Sequence, residues 1–209
     1  MRILFFGDSI TDAGRKRRRS VVDLSKYGYG YVNNVVQQLS DSPEGYEFIN
    51  RGISGNRVVD LYKRIERDCW NYSPDVLSIL VGVNDVWLEL IRKRGVKLDR
   101  FEQVYRTMLK ETKERFPNIK LIILEPFMLK GKATEKKFDE FSELYKYAAV
   151  VKRIAEEFGA KFIPLQDKFD KAAEKFGAQN CLYDGVHPNA IGAKLIANAW
   201  IKAFKEINE

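Results

Sequence analysis

Histidine is all but absent from this sequence: His187 is the only one in 209 residues. Chemistry that needs an imidazole has a single candidate, and a multi-histidine metal centre is excluded. Cysteine is nearly as scarce. Cys69 and Cys181 form no CxxC pair, and with one histidine they cannot complete a zinc site of recognisable spacing. They read as reduced, packed thiols, and no metal or other cofactor is expected. No apolar run approaches the ~18 residues of a membrane helix, and Met1 and Arg2 lead straight into ILFFGDS without a basic, apolar and small-residue leader. A cytoplasmic protein with no membrane partner is the expectation. No linker or repeat interrupts the chain, so residues 1–209 are read as one domain with a sizeable core.

Positive charge is plentiful: the net charge is +7, with a pI near 9.3. Five of these charges fall in RKRRR, Arg15 to Arg19, and the rest of the chain is close to balance. Such a run can mark a nucleic-acid patch. Without interleaved aromatics or a nucleic-acid fold motif it reads as a solvated loop, and no nucleic-acid partner is expected.

Five apolar runs alternate with helical patterns: 2–7 (RILFFG), 46–50, 75–82, 119–127 and 161–165. Continuous apolar runs of this length are strands buried on both faces. Apolar spacings of three and four mark one helix through Val58, Leu61, Tyr62 and Ile65, and a second through Phe101, Val104, Tyr105 and Met108. A third runs continuously from Phe138 to Val151, and a last one opens after Pro188. The alternation implies a parallel sheet with helices on both faces. Two polar stretches, 91–99 and 128–137, read as solvated connections. The second leaves the sheet end where ligands bind, which keeps a covering role open.

In such a sheet, sites form beyond the carboxyl ends of the strands. Ser9 follows the first run, Gly52 and Gly55 the second, Asn84 the third and Glu125 the fourth, while YDGVHPN (183–189) comes after the fifth. A serine hydroxyl is a weak nucleophile without an adjacent base, and His187 is the only imidazole that could serve. Asp184, three residues earlier, suits the role of holding its tautomer. The backbone of Gly55, the carboxamide of Asn84 and the N–H of Ser9 suit an oxyanion. Each alone has an ordinary alternative: serine as a cap, glycine as a turn, asparagine as a loop residue, histidine as a packed side chain. Their order at successive strand ends gives the set its weight.

The blocks FGDSIT, NRGISGN, VGVND and DGVHPN resemble those of the SGNH hydrolases, also called GDSL esterases, and span Phe6 to Asn189 in the family's order. GDSI replaces GDSL and GVND replaces GGND, neither change touching a catalytic atom. The resemblance implies a three-layer α/β/α sandwich with a flavodoxin-like five-stranded parallel sheet. It makes Ser9 the nucleophile, Asp184 and His187 its partners, and Gly55 and Asn84 oxyanion donors alongside Ser9. GDSITDAGR, YGYGYV and VNDVW are similar to intracellular acetyl-xylooligosaccharide esterases and related carbohydrate deacetylases. That narrower likeness implies O-deacetylation of a small acetylated oligosaccharide, with Trp87 and Tyr29 as candidates to pack against a sugar; both equally suit a core or a subunit interface.

A short-chain lipid esterase, thioesterase or lysophospholipase would use the same machinery. A non-enzymatic anion or nucleic-acid binder would rely on RKRRR. A glycosidase pairing Asp8 with Glu125 leaves Ser9, Asn84 and His187 unexplained. The sequence leaves the sugar, the acetyl position and a homo-oligomeric state open.

Overall fold

A computed structural model describes residues 1–17 and 23–209. Its centre is five parallel strands, β1 Arg2–Gly7, β2 Glu47–Gly52, β3 Val76–Leu80, β4 Lys120–Leu124 and β5 Lys161–Ile163, in the order β2-β1-β3-β4-β5. Every residue of β3 is buried, and β1 and β4 are buried but for their first residues. Burial on both faces is why these strands read as unbroken apolar runs.

The helices are α1 Ser9–Asp12, α2 Tyr31–Leu39, α3 Val58–Asp68, α4 Val83–Arg92, α5 Leu98–Arg115, α6 Phe138–Phe141, α7 Leu144–Glu157, α8 Gln166–Phe176, α9 Ala178–Cys181 and α10 Ala190–Glu206. Parallel crossovers are right-handed. The chain steps one way from β1 to β2 and the other way thereafter, so α2 lies on one face and α3, α5 and α7 on the opposite one. α10 returns to the α2 side. This is a flavodoxin-like three-layer sandwich whose order reverses at β1 and β3, where doubly wound folds place their ligands.

One buried side chain shows how the α10 layer is fixed. Trp200 is fully buried against Phe5 and Phe204, with ring centroids 5.0 Å away in both cases. Its indole N–H donates to the Ser78 hydroxyl at 2.9 Å, which satisfies the one polar side chain inside β3. At about 25 cal/mol per Å² and roughly 200 Å² for a buried indole, this contact removes ~5 kcal/mol of apolar surface cost before chain entropy is counted.

Three expectations change. β2 runs on to Gly52, because Arg51 and Gly52 still pair with Phe6 and Gly7 although the apolar run has ended. The helix expected from Phe138 to Val151 is split into α6 and α7. Ser142 and Glu143 keep helical dihedrals, but the amides of Glu143, Tyr145 and Lys146 bond three residues back, to Glu140, Ser142 and Glu143. The apolar stripe therefore continues across a tightened turn.

The stretch 128–137 is solvated only in part: Lys130, Lys132 and Glu135 to Lys137 are exposed, while its inner side packs on the histidine loop. Leu129 and Thr134 are buried, and the N–H groups of Leu129 and Ala133 donate to the carbonyls of Gly185 and Asp184, both at 2.8 Å. It is a buttress behind the histidine loop. Gly185 has φ +96° and lies so close to this segment that a Cβ would sit 2.6 Å from the Leu129 carbonyl oxygen, a position that only glycine fits.

Among the described residues no helix is long and apolar enough to cross a membrane, and no cluster of metal-binding side chains occurs. Both cysteines are free and buried, and burial pushes the Cys69 thiol up to about 12.

Candidate active site

Ser9 is the first residue of α1, separated from β1 by Asp8 alone. Asp8 caps this helix, its Oδ1 accepting the Ile10 N–H at 2.9 Å. The cap lets the chain turn abruptly from strand to helix and brings the Ser9 side chain to the sheet edge. The histidine loop arrives from the other end of the sequence. Asp184 Oδ1 accepts the N–H groups of Val186 and His187 at 2.9 and 2.8 Å, tightening the turn, while Oδ2 lies 2.7 Å from His187 Nδ1. His187 Nε2 is 2.9 Å from Ser9 Oγ. Since the carboxylate accepts from Nδ1–H, the lone pair of Nε2 faces the serine hydroxyl and can take its proton. Three groups separated by as many as 178 residues thus form one relay.

The electrostatics suit that task. Burial works against charge on Asp184, yet the hydrogen bonds from the His187 ring, the His187 N–H and the Val186 N–H hold its carboxyl below the usual range. Burial likewise lowers the basicity of His187, but the Asp184 hydrogen bond and charge, with a smaller contribution from Asp8, outweigh it and raise the imidazole above its ordinary value. Asp8 is fully buried, and burial pushes its carboxyl up to about 7 against the Ile10 N–H and the charge of His187. The His187 ring is flanked by Tyr183, nearly parallel at 15° with centroids 5.6 Å apart, and by Trp87, tilted at 55° and 5.7 Å away. These rings restrict its rotation.

The oxyanion candidates lie on the next two loops. Gly55 is exposed on the β2–α3 loop, and its N–H has no hydrogen-bond partner among the described residues. Asn84, in the first turn of α4, is buried. Its carboxamide donates to the Asn56 carbonyl at 3.0 Å, using one N–H and leaving the other. Its neighbour Asp85 accepts the Val58 N–H at 3.1 Å, at the start of α3. Asn84 and Asp85 together tie the far side of the Gly55 loop to α4.

A cleft of about 330 Å³ opens over Ser9 and His187, with walls from Ile10, Ala13, Gly14, Tyr29, Ser54, Tyr183 and Pro188. A larger groove of about 690 Å³ lies around Met1, Pro74 and Phe116 at the opposite end of the strands and has no histidine. The structure places the two expected aromatics differently. Tyr29 is 75% exposed and lines the cleft. Trp87 is half-buried between Phe141 and His187, behind the imidazole.

One other expectation is revised, and the glycosidase pairing set aside above stays excluded. Arg15 is not solvated: its side chain is only 7% exposed, and its Nε donates to the Gly52 carbonyl at 3.0 Å. Arg17 is bound to Asp12. Arg18 and Arg19 of the basic run lie outside the described residues. Glu125 accepts the backbone N–H groups of Leu165 and Gln166 at 2.6 and 2.8 Å, so it caps α8. Together with the capping role of Asp8, this leaves no glycosidase-like pair.

Comparison with known proteins gives the family. The profile of the GDSL-like lipase/acylhydrolase family matches residues 5–195. The chain belongs to that family. It is a carboxylic ester hydrolase. It is 36% identical over 208 residues to an acetylxylan esterase from Geobacillus stearothermophilus, covering 96% of this chain and 92% of the relative. The crystal structure of that organism's acetylxylan esterase superposes with a TM-score of 0.85 at 35% identity, over 97% of this chain and 93% of the other. A candidate GDSL-like lipase from Parabacteroides merdae gives a TM-score of 0.90 at 40% identity, over 98% and 95% of the two chains.

The sequence did not point to Tyr183, Ser54 or Asp12 in this hydrolase. Tyr183 carried a signal, since it directly precedes Asp184. Ser54 and Asp12 carried none beyond their places in GISGN and GDSITDAGR.

Proposed function

We propose that the protein is a serine acetyl esterase that removes O-acetyl groups from small acetylated oligosaccharides, xylooligosaccharides or related carbohydrates, through an acyl-enzyme. The observation that carries the reading is the continuous relay Ser9 Oγ, His187 Nε2, His187 Nδ1, Asp184 Oδ2, with steps of 2.9 and 2.7 Å, at the floor of an open cleft. Ser9 Oγ attacks the ester carbonyl while His187 Nε2 takes its proton. The carbonyl oxygen becomes negative and is met by the N–H groups of Ser9 and Gly55 and by the Asn84 carboxamide. The imidazolium then protonates the departing sugar hydroxyl. Water, deprotonated by His187, attacks the acetyl-serine, and acetate leaves as the serine regains its proton.

The cleft supports a sugar better than a long acyl chain. Its aliphatic lining is limited to Ile10, Ala13 and Pro188, whereas Tyr29 and Tyr183, 75% and 60% exposed, offer amphipathic ring faces. Such rings pack on the C–H faces of pyranoses while their hydroxyls stay wet. The similarity to acetylxylan esterases favours the same class.

The test is a mass-spectrometric screen of acetylated xylo-, manno- and chito-oligosaccharides beside octanoyl esters and acyl-CoA, with Ser9→Ala as the blank. Loss of acetyl groups from at least one oligosaccharide series, with little turnover of octanoyl esters, is expected. Turnover confined to octanoyl esters or acyl-CoA would replace the carbohydrate reading with a lipid esterase or thioesterase.

A further inference from the structure

An oxyanion donor is useful only if it is held still before charge develops. The far side of the Gly55 loop is anchored to α4, as described above. The near side, next to Gly55 itself, is held from a different direction. Asp12 Oδ2 accepts the Ser54 N–H at 3.1 Å and the Ser54 hydroxyl at 3.3 Å. Asp12 is the last residue of α1, the helix that begins with Ser9. It is only 3% exposed, and its carboxylate is itself fixed by Arg17, with Arg15 Nε 3.9 Å away. Arg15 in turn grips the Gly52 carbonyl at 3.0 Å. At Gly52 the two segments touch, since a Cβ there would fall 2.1 Å from the Asp12 N–H nitrogen.

We infer that Asp12 is a positioning residue that sets the register between the Ser9 hydroxyl and the Gly55 N–H, acting through Ser54. One short rigid turn of helix carries the serine at one end and the clamp on the oxyanion loop at the other. Arg15 and Arg17, packed against the clamping carboxylate, hold it in place. This places the TDAGR segment in the catalytic geometry without giving it contact with substrate. The inference rests on the proposed roles of Ser9 and Gly55, and not on the identity of the ester.

The test uses the full-length protein with 4-nitrophenyl acetate, together with hydrogen exchange at the Ser54 amide and melting temperature. Asp12→Ala is expected to lose about tenfold or more in kcat, a substantial part of what a whole oxyanion donor is worth, with KM little changed. Its Ser54 amide should exchange fast. Asp12→Asn keeps an oxygen that can accept from Ser54, and is expected to retain kcat within roughly threefold of the parent with the amide still protected. The inference is overturned if Asp12→Ala stays within that threefold range, if KM alone moves, or if folded Asp12→Asn is as slow as Asp12→Ala. Should Asp12→Ala fail to fold, Asp12→Asn decides: near-parental kcat with a protected amide supports the clamp, and a larger loss at an unchanged melting temperature overturns it. Full activity in Ser9→Ala would remove the serine reading instead, and would leave the Ser54 protection result standing.

Discussion

Ser9→Ala is expected to lose roughly 10⁴- to 10⁶-fold in kcat towards 4-nitrophenyl acetate while keeping its fold. The hydroxyl is the group that the His187 base faces, and its removal leaves His187 and Asp184 with only water to activate. Some rate above the uncatalysed reaction should persist, because the proposed oxyanion donors Gly55 and Asn84 are untouched by the substitution. Stability should change little, since the Ser9 side chain is partly exposed and its recorded side-chain hydrogen bond is to His187. Steady-state kinetics with a matched thermal melt checks both parts. Near-parental turnover would remove Ser9 from the mechanism.

Asp184→Asn is expected to lower kcat by on the order of 10⁴-fold and to move the acid limb of the pH profile to lower pH. The first effect follows from the tautomer. A carboxamide can turn its NH₂ towards Nδ1, which leaves the proton on Nε2, where the serine needs a base. The second follows from charge. In the parent, His187 is raised above its ordinary 6.5 by Asp184, with Asp8 assisting, so the neutral and active form is lost as pH falls through a value above 6.5. Removing the Asp184 charge leaves burial as the larger influence, and the imidazole then stays neutral to lower pH. Asp8, with its carboxyl at about 7, titrates in the same window, so the parental limb reports the coupled pair rather than His187 alone. A profile of kcat/KM from pH 4 to 9 for both proteins measures this. A limb that shifts upward, or a kcat within tenfold of the parent, would contradict the assigned role.

The strands were legible because both faces of the sheet are covered. RILFFG gives β1 with its observed bounds, since every side chain after Arg2 enters a core. The end of β2 was hidden because Arg51 and Gly52 continue the ladder through backbone hydrogen bonds, which hydropathy does not register. α4 was missed for a related reason. It begins inside GVND, where the polar Asn84 and Asp85 are buried for their hydrogen bonds and break the apolar stripe. The relay itself was readable since the chemistry leaves few candidates, with one histidine, an aspartate three residues away and a serine at a strand end. The groups that hold it were not. The contacts of Asp12 with Ser54, Arg15 with Gly52, and Ala133 with Asp184 join segments 37 to 51 residues apart, through a backbone N–H or C=O in each case. Any residue type supplies such a group, so no pattern announces it.

The central claim is that the acetyl group passes through Ser9. Acid-quenching the reaction with 4-nitrophenyl acetate in the first turnovers, followed by proteolysis and peptide mass mapping, tests it directly. The account predicts one acetyl group on the peptide carrying Ser9, absent from Ser9→Ala and accumulating in Asp184→Asn if deacylation slows more than acylation. Acetyl on another side chain that decays at the rate of turnover, or the same adduct in Ser9→Ala, would contradict it.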